Sequence, residues 1–182
     1  MDRAAQDAAW SANALEASNG FVALEDTYTQ SVGLPESQRW PWSDSKGVYI
    51  LASSYELHCV HVLHQIAKQA YNKSELSWHY DYTMECLNLL RDTVMCNADN
   101  ELLSTGPPLY THTGIPNLQL GASFNRTCRD WDKLQEWARG RSACWQPVNI
   151  FDRSFPDAER YKFCPDGSRP WEQKMGPSDT GF

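Results

Sequence analysis

The sequence predicts a mainly α-helical fold: a small single domain with long irregular loops, braced by disulfides. Three observations carry that expectation. Apolar residues recur at helical spacing in three stretches, near residues 54–71, 77–95 and 128–139. Proline and glycine punctuate much of the remainder, as in Gly106-Pro107-Pro108 and Gly114-Ile115-Pro116. Six cysteines (Cys59, Cys86, Cys96, Cys128, Cys144 and Cys164) are even in number and widely spaced. At 182 residues, the stretch 1–182 reads as one domain with room for a core.

Composition removes several function classes. Sixteen Lys and Arg against 23 Asp and Glu leave a net charge of −7. A nucleic-acid binder needs a basic surface, so no nucleic-acid partner is expected. Electrostatic attachment to anionic lipid is disfavoured for the same reason. No apolar run approaches the roughly 18 residues of a membrane helix, and Met1-Asp2-Arg3-Ala4-Ala5-Gln6 does not read as a signal peptide. Eight Trp and a hydrophobic fraction of 41% supply enough apolar surface to fold.

No CxxC pair is present, which favours disulfides over a structural zinc site. Disulfides imply an oxidising compartment. Two glycosylation sequons, Asn72-Lys73-Ser74 and Asn125-Arg126-Thr127, point the same way. A luminal or secreted domain is therefore expected, with its signal or membrane anchor lying outside this chain.

Taken in order, residues 2–18 are Ala-rich and predict a helix stopped at Asn19-Gly20. Residues 21–46, with Pro35 and Pro41, predict mostly loop, and Gly47 to Ala52 a short strand. Ser53-Ser54-Tyr55-Glu56 has capping-box spacing, and Leu57, Val60, Leu63 and Ile66 follow on one stripe of a helix reaching Tyr71. A second helix is expected from Ser77 to Met95, with Met84, Leu87, Leu90 and Val94 as its stripe. Residues 97–123 read as loop. A third helix begins near Cys128 with Thr127 and Asp130 as cap, carries Trp131, Leu134, Trp137 and Ala138, and stops at Gly140. The tail from Cys144 to Phe182 looks irregular.

An internal repeat organises the candidate site. Tyr55-Glu56-Leu57-His58-Cys59-Val60-His61-Val62-Leu63 aligns with Tyr82-Thr83-Met84-Glu85-Cys86-Leu87-Asn88-Leu89-Leu90, with Tyr, Cys and the last Leu identical. Positions i, i+3 and i+4 share a helix face, so each copy presents a Tyr, a polar group and a Cys together. A Cys59–Cys86 bond would make Tyr55, His58, Tyr82 and Glu85 converge. Polar groups at core-like positions are costly unless paired, which makes this cluster a candidate catalytic site. Trp78, His79, Arg91 and His61 are candidate substrate-binding neighbours. His64 reads as a surface residue, and His112 has no evident partner. Six cysteines allow about 15 pairings, so the sequence leaves the connectivity open; the pairing adopted as an expectation is Cys59–Cys86, Cys96–Cys128 and Cys144–Cys164.

Tyr55-Glu56-Leu57-His58-Cys59, Glu85-Cys86-Leu87-Asn88-Leu89-Leu90-Arg91 and Met95-Cys96-Asn97-Ala98-Asp99 resemble the fungal UstYa-like family, whose hallmark is two His-x-x-His-Cys motifs. Cys128-Arg129-Asp130-Trp131 through Trp137 resembles the Cys-Arg-Asp and Trp block that follows in it. The resemblance implies a luminal, membrane-anchored or secreted domain that tailors secondary metabolites such as mycotoxins. It also implies copper-dependent oxidation, cyclisation, hydroxylation or halogenation through four histidines. Here Tyr55 replaces the leading His of the first motif, and Tyr82 and Glu85 replace both of the second. One imidazole with a carboxylate and two phenols is a poor copper set.

The leading expectation is thus a tailoring enzyme without metal or other cofactor, a cyclase or isomerase of a polyketide- or peptide-derived intermediate. Tyr55 and Tyr82 would be hydrogen-bond donors, and His58 with Glu85 an acid–base pair. The alternatives are a copper oxidase with an altered site using His58, His61 or His79, and Glu85, or a non-catalytic partner of an active family member. Homo- or hetero-oligomers with family members are compatible with each.

Overall fold

The computed structural model describes Trp10 and residues 17–100, 109–110, 116–117, 128–148 and 152–174. The helix expected over 2–18 therefore lies largely outside the described residues. Trp10 is helical, and Ala17–Gly20 forms a 3-10 turn.

That turn feeds β1 (Phe21–Glu25) and then α1 (Asp26–Ser31), where loop was expected. β2 (Lys46–Ile50) runs antiparallel to β1, with Phe21 opposite Ile50 and Glu25 opposite Lys46. The other edge of β1 is also occupied. Ala23 N donates to Arg141 O at 2.8 Å, and Ala143 N donates to Phe21 O at 2.9 Å. β1 is consequently a central strand, covered on both faces. Ala23 packs with Trp40, Val48, Ala143, Cys144 and Tyr161 on one side. Val22 and Leu24 pack with Ala138 on the other, against Tyr49, Leu51 and Trp137.

The indoles of this core are anchored. Trp40 Nε1 donates to Ala143 O at 2.9 Å, and Trp42 Nε1 to Tyr161 O at 2.8 Å. Pairing matters here, because a buried donor left unmade costs about 1–3 kcal/mol.

α2 (Ala52–Tyr71) and α3 (Tyr80–Asn97) form the second layer. Gly20 lets α2 approach the strand layer closely. A Cβ there would stand 2.3 Å from Ser54 Cβ, so any larger residue would drive the turn and helix apart. The two helices are antiparallel: residue 59 meets 86, and Glu56 Oε1 accepts from Thr93 Oγ1 at 3.0 Å. Glu56 is thus engaged with α3. The capping-box reading is corrected: Leu51 occupies the N-cap of α2 and makes no side-chain cap bond.

The buried stripes are also displaced from those expected. Cys59, Val62 and Cys86 are fully buried, flanked by Tyr55, Ile66, Trp78, Tyr82, Leu89 and Leu90. Leu87 and Val94 instead remain 43% and 71% exposed. The cause is covalent. The Cys59–Cys86 bond, with Cα atoms 5.0 Å apart, fixes which face of each helix turns inward.

β3 (Leu109–Tyr110) and β4 (Pro116–Asn117) make a minimal antiparallel pair within the stretch expected to be loop. α4 (Trp131–Arg139) starts one turn later than Cys128, because Asp130 is its cap: its carboxylate accepts from Lys133 N at 3.0 Å. The tail contains a 3-10 turn (Asp157–Tyr161) and α5 (Pro170–Lys174), and Cys144–Cys164 ties it to the strand layer.

Two of the three expected disulfides are formed. Cys96–Cys128 is not: both side chains are exposed thiols, one at the end of α3 and one ahead of α4. The architecture is mainly helical, and among the described residues no helix is long and apolar enough to cross a membrane.

Candidate functional site

The site is built on the first half of α2 and the start of α3. Tyr55, His58 and Cys59 lie on one face of α2, as helical spacing requires, and Tyr82 and Cys86 face them from α3. His58 Nε2 and Tyr82 Oη are joined by a 2.8 Å hydrogen bond. Tyr55 stacks beside His58, with ring centroids 6.2 Å apart. Trp78 stacks on Tyr82 at 5.2 Å and meets His58 edge-on at 5.7 Å. Four rings therefore enclose one hydrogen bond beside a disulfide.

Burial shapes the proton chemistry. It holds the His58 imidazole below its ordinary value, with the charge of His61 adding to the effect. The phenol of Tyr82 is pushed up to about 12, first by burial, then by the charge and hydrogen bond of Tyr55, then by Glu85. Near neutral pH the pair is a neutral imidazole hydrogen-bonded to an intact phenol and carries no net charge.

Glu85 does not complete the pair. Its side chain is exposed, and His58 forms its hydrogen bond with Tyr82 instead. Among the described residues no His58–Glu85 ion pair exists, which corrects the acid–base couple expected from the repeat. One turn of α3 separates Tyr82 from Glu85. With Cys86 turned fully inward, the carboxylate is left at the solvent edge.

A second network adjoins the first and rests on a residue the sequence reading passed over. Trp78 Nε1 donates to Gln65 Oε1 at 2.7 Å, and Gln65 Nε2 lies 2.7 Å from His61 Nε2. An indole N–H can only donate, so the Gln65 carbonyl must face Trp78 and its NH₂ must face His61. His61 Nε2 then accepts, and the ring proton sits on Nδ1, which is buried without a partner. Burial, then the charge of His64, lowers the His61 pKa as well. Trp10 caps this end of the face, stacked on His64 at 4.1 Å. A glutamine seven residues after His58 and three before Lys68 was the only sequence signal for Gln65, and it is a common one.

The remaining candidates sit elsewhere. His79 is exposed and lies 3.5 Å from Asp81. Arg91 is taken up by Asp92 at 2.7 Å and by Asn88 at 3.2 Å, so it forms a surface ion pair. His112 lies outside the described residues. A cleft of about 260 Å³ opens beside Cys144–Cys164, and none of the expected site residues lines it.

Copper does not fit the motif positions. Cys59 and Cys86 are locked in a disulfide, Tyr82 is held as a phenol, and His58 Nε2 is engaged with it. That leaves one imidazole and an exposed carboxylate where Cu(II) prefers several imidazoles. Among the described residues no group of three or more His, Cys, Asp or Glu is arranged to hold a metal ion.

A disulfide between the two repeated Cys motifs thus clamps the helix pair that carries the site. The profile of the family described as mycotoxin biosynthesis protein UstYa matches residues 2–141. The chain belongs to the UstYa family. Chlorinase cctP2 of Talaromyces islandicus is 36% identical over 97% of this chain and 57% of its own length. Hydroxylase cctR of the same fungus is 27% identical over 85% of the chain and 56% of its own length. The UstYa family oxidase phomYd of Diaporthe leptostromiformis is 29% identical over 72% of the chain and 43% of its own length. The chain thus spans about half the length of these curated relatives. No solved structure matches it.

Proposed function

We propose that the chain acts in the tailoring of fungal secondary metabolites, as a metal-independent cyclase or isomerase in the lumen of the secretory pathway. The observation that carries this reading is the 2.8 Å hydrogen bond between His58 and Tyr82, held between disulfide-linked helices.

The chemistry follows from the protonation states. A substrate carbonyl set against the phenols of Tyr82 and Tyr55 receives hydrogen bonds that strengthen as its oxygen gains charge. With His58 Nε2–H donating to Tyr82 Oη, the Tyr82 hydroxyl is free to donate to the carbonyl, while His58 Nδ1 removes a proton from the carbon beside it and the electron pair moves to oxygen. The imidazolium then returns the proton at another carbon, or the enolate closes a ring onto an electrophile in the same molecule. Atoms and electrons are conserved, so no oxidant is needed. Trp78 supplies a flat wall on which a conjugated substrate can lie.

The relatives' names suggest oxidative tailoring, but the motif positions here lack the imidazoles for copper, so that reading comes second. A deletion strain separates the possibilities. It should accumulate the substrate, and returning the wild-type gene should restore the product. A gene carrying both His58→Gln and Tyr82→Phe should not, while its protein accumulates to the wild-type level. Full restoration by that double variant would overturn the assignment. It would leave a non-catalytic partner role.

A further inference from the structure

We infer that Asn72 is an N-glycosylation site and that its glycan covers an apolar patch at the closed end of the helix pair. The sequon Asn72-Lys73-Ser74 falls on the turn between α2 and α3, with Asn72 as the C-cap of α2. Lys73 takes a positive φ of 54°, which swings the chain off the helix axis and leaves the Asn72 side chain exposed. Its carboxamide makes no hydrogen bond among the described residues, so nothing competes for the acceptor nitrogen. The sequon hydroxyl stands on the same turn, where Ser74 Oγ donates to Gln69 O at 3.2 Å.

The surroundings call for a cover. Tyr71, Leu76 and Tyr80 are 75%, 50% and 71% exposed on either side of the sequon. Three large apolar side chains exposed within ten residues of one turn offer a surface that a bulky group attached at that turn can cover. A glycan is bulky and solubilising, and the C–H faces of its first sugars can lie on tyrosine rings.

In the transfer, the Asn72 amide nitrogen attacks the anomeric carbon of a lipid-linked oligosaccharide. The new C–N bond forms, the C–O bond to the lipid diphosphate breaks, the diphosphate leaves, and the amide loses one proton. The site does not obstruct the His58–Tyr82 pair. Asn72 is fourteen positions along the chain from His58, about 21 Å of helix axis. The inference rests on the luminal placement proposed above but not on the catalytic reading.

The test expresses the full-length protein in a filamentous fungus and maps the Asn72 peptide by mass spectrometry, before and after peptide-N-glycosidase treatment. The expected result is a glycan on that peptide, which the enzyme removes with conversion of Asn72 to Asp. Ser74→Ala should abolish it and Ser74→Thr should keep it. Treated protein should bind more of a hydrophobic dye than untreated protein. A peptide recovered unmodified, or a glycan on Asn125 alone, would overturn the inference. Unchanged dye binding after complete removal would overturn the covering role.

Discussion

The imidazole of His58 and the phenol of Tyr82 share a 2.8 Å hydrogen bond across two helices that a disulfide holds together. The two residues come from different copies of an internal repeat. His58 adjoins Cys59 and Tyr82 lies four residues before Cys86 on the same helix face, so the Cys59–Cys86 bond sets their separation.

Removing that bond should therefore do two things. Replacing both Cys59 and Cys86 by Ser should cost about 2–4 kcal/mol in denaturant unfolding, the usual range for a native disulfide. It should also free the rings, which near-ultraviolet circular dichroism would report as a loss of the aromatic signal around Trp78 and Tyr82. An unchanged spectrum would mean that packing alone positions the pair.

The pH dependence has a definite sign. His58 folds with its pKa below the ordinary 6.5, so between the two values the unfolded chain binds more protons. The contribution of His58 to stability should be complete above about pH 6.5 and fall away as pH drops below it. Tyr82 works at the other end. Its phenol is raised to about 12, so stability should decline as pH rises from the ordinary 10 towards that value. Unfolding midpoints measured across this range, with Tyr82→Phe as the control for the alkaline limb, check both.

Gln65→Leu should break the link between Trp78 and His61 while preserving most of the side-chain volume. Trp78 Nε1 would be left without its acceptor, and about 1–3 kcal/mol of stability should be lost. The Trp78 emission should shift to the red as the indole seeks water. A silent substitution would show that the network is incidental.

The repeat made the helix pair legible, because Tyr, polar residue and Cys at i, i+3 and i+4 specify one face whatever the rest of the fold. The same logic fixed the convergence of Tyr55, His58 and Tyr82. It misplaced Glu85, since the flexible side chain of a Glu beside a fully buried Cys can equally lie at the rim. β1 escaped notice for a different reason. Val22, Ala23 and Leu24 are consecutive and all buried, and a strand covered on both faces loses the alternation by which strands are read. The partner of Glu56 is 37 residues away in Thr93, so local spacing suggested a cap that the tertiary contact overrides. Cys144–Cys164 was legible as the clamp of an irregular tail. The exposed Cys96 and Cys128 show that an even cysteine count does not by itself pair the last two.

Tyr82→Phe keeps the ring stack with Trp78 and deletes one hydroxyl. If that hydroxyl donates to a developing oxyanion, turnover should fall about 10²–10³-fold, the usual loss for one such donor, with little change in substrate binding. A loss in binding alone would make Tyr82 a wall residue.

The most direct measurement of the central claim is turnover by metal-stripped protein under argon, with the intermediate that accumulates in the deletion strain. The account predicts a product of unchanged mass, formed at the same rate with or without added copper and oxygen. Turnover that requires copper and oxygen, with a product altered in mass by oxygen, halogen or loss of hydrogen, would contradict it.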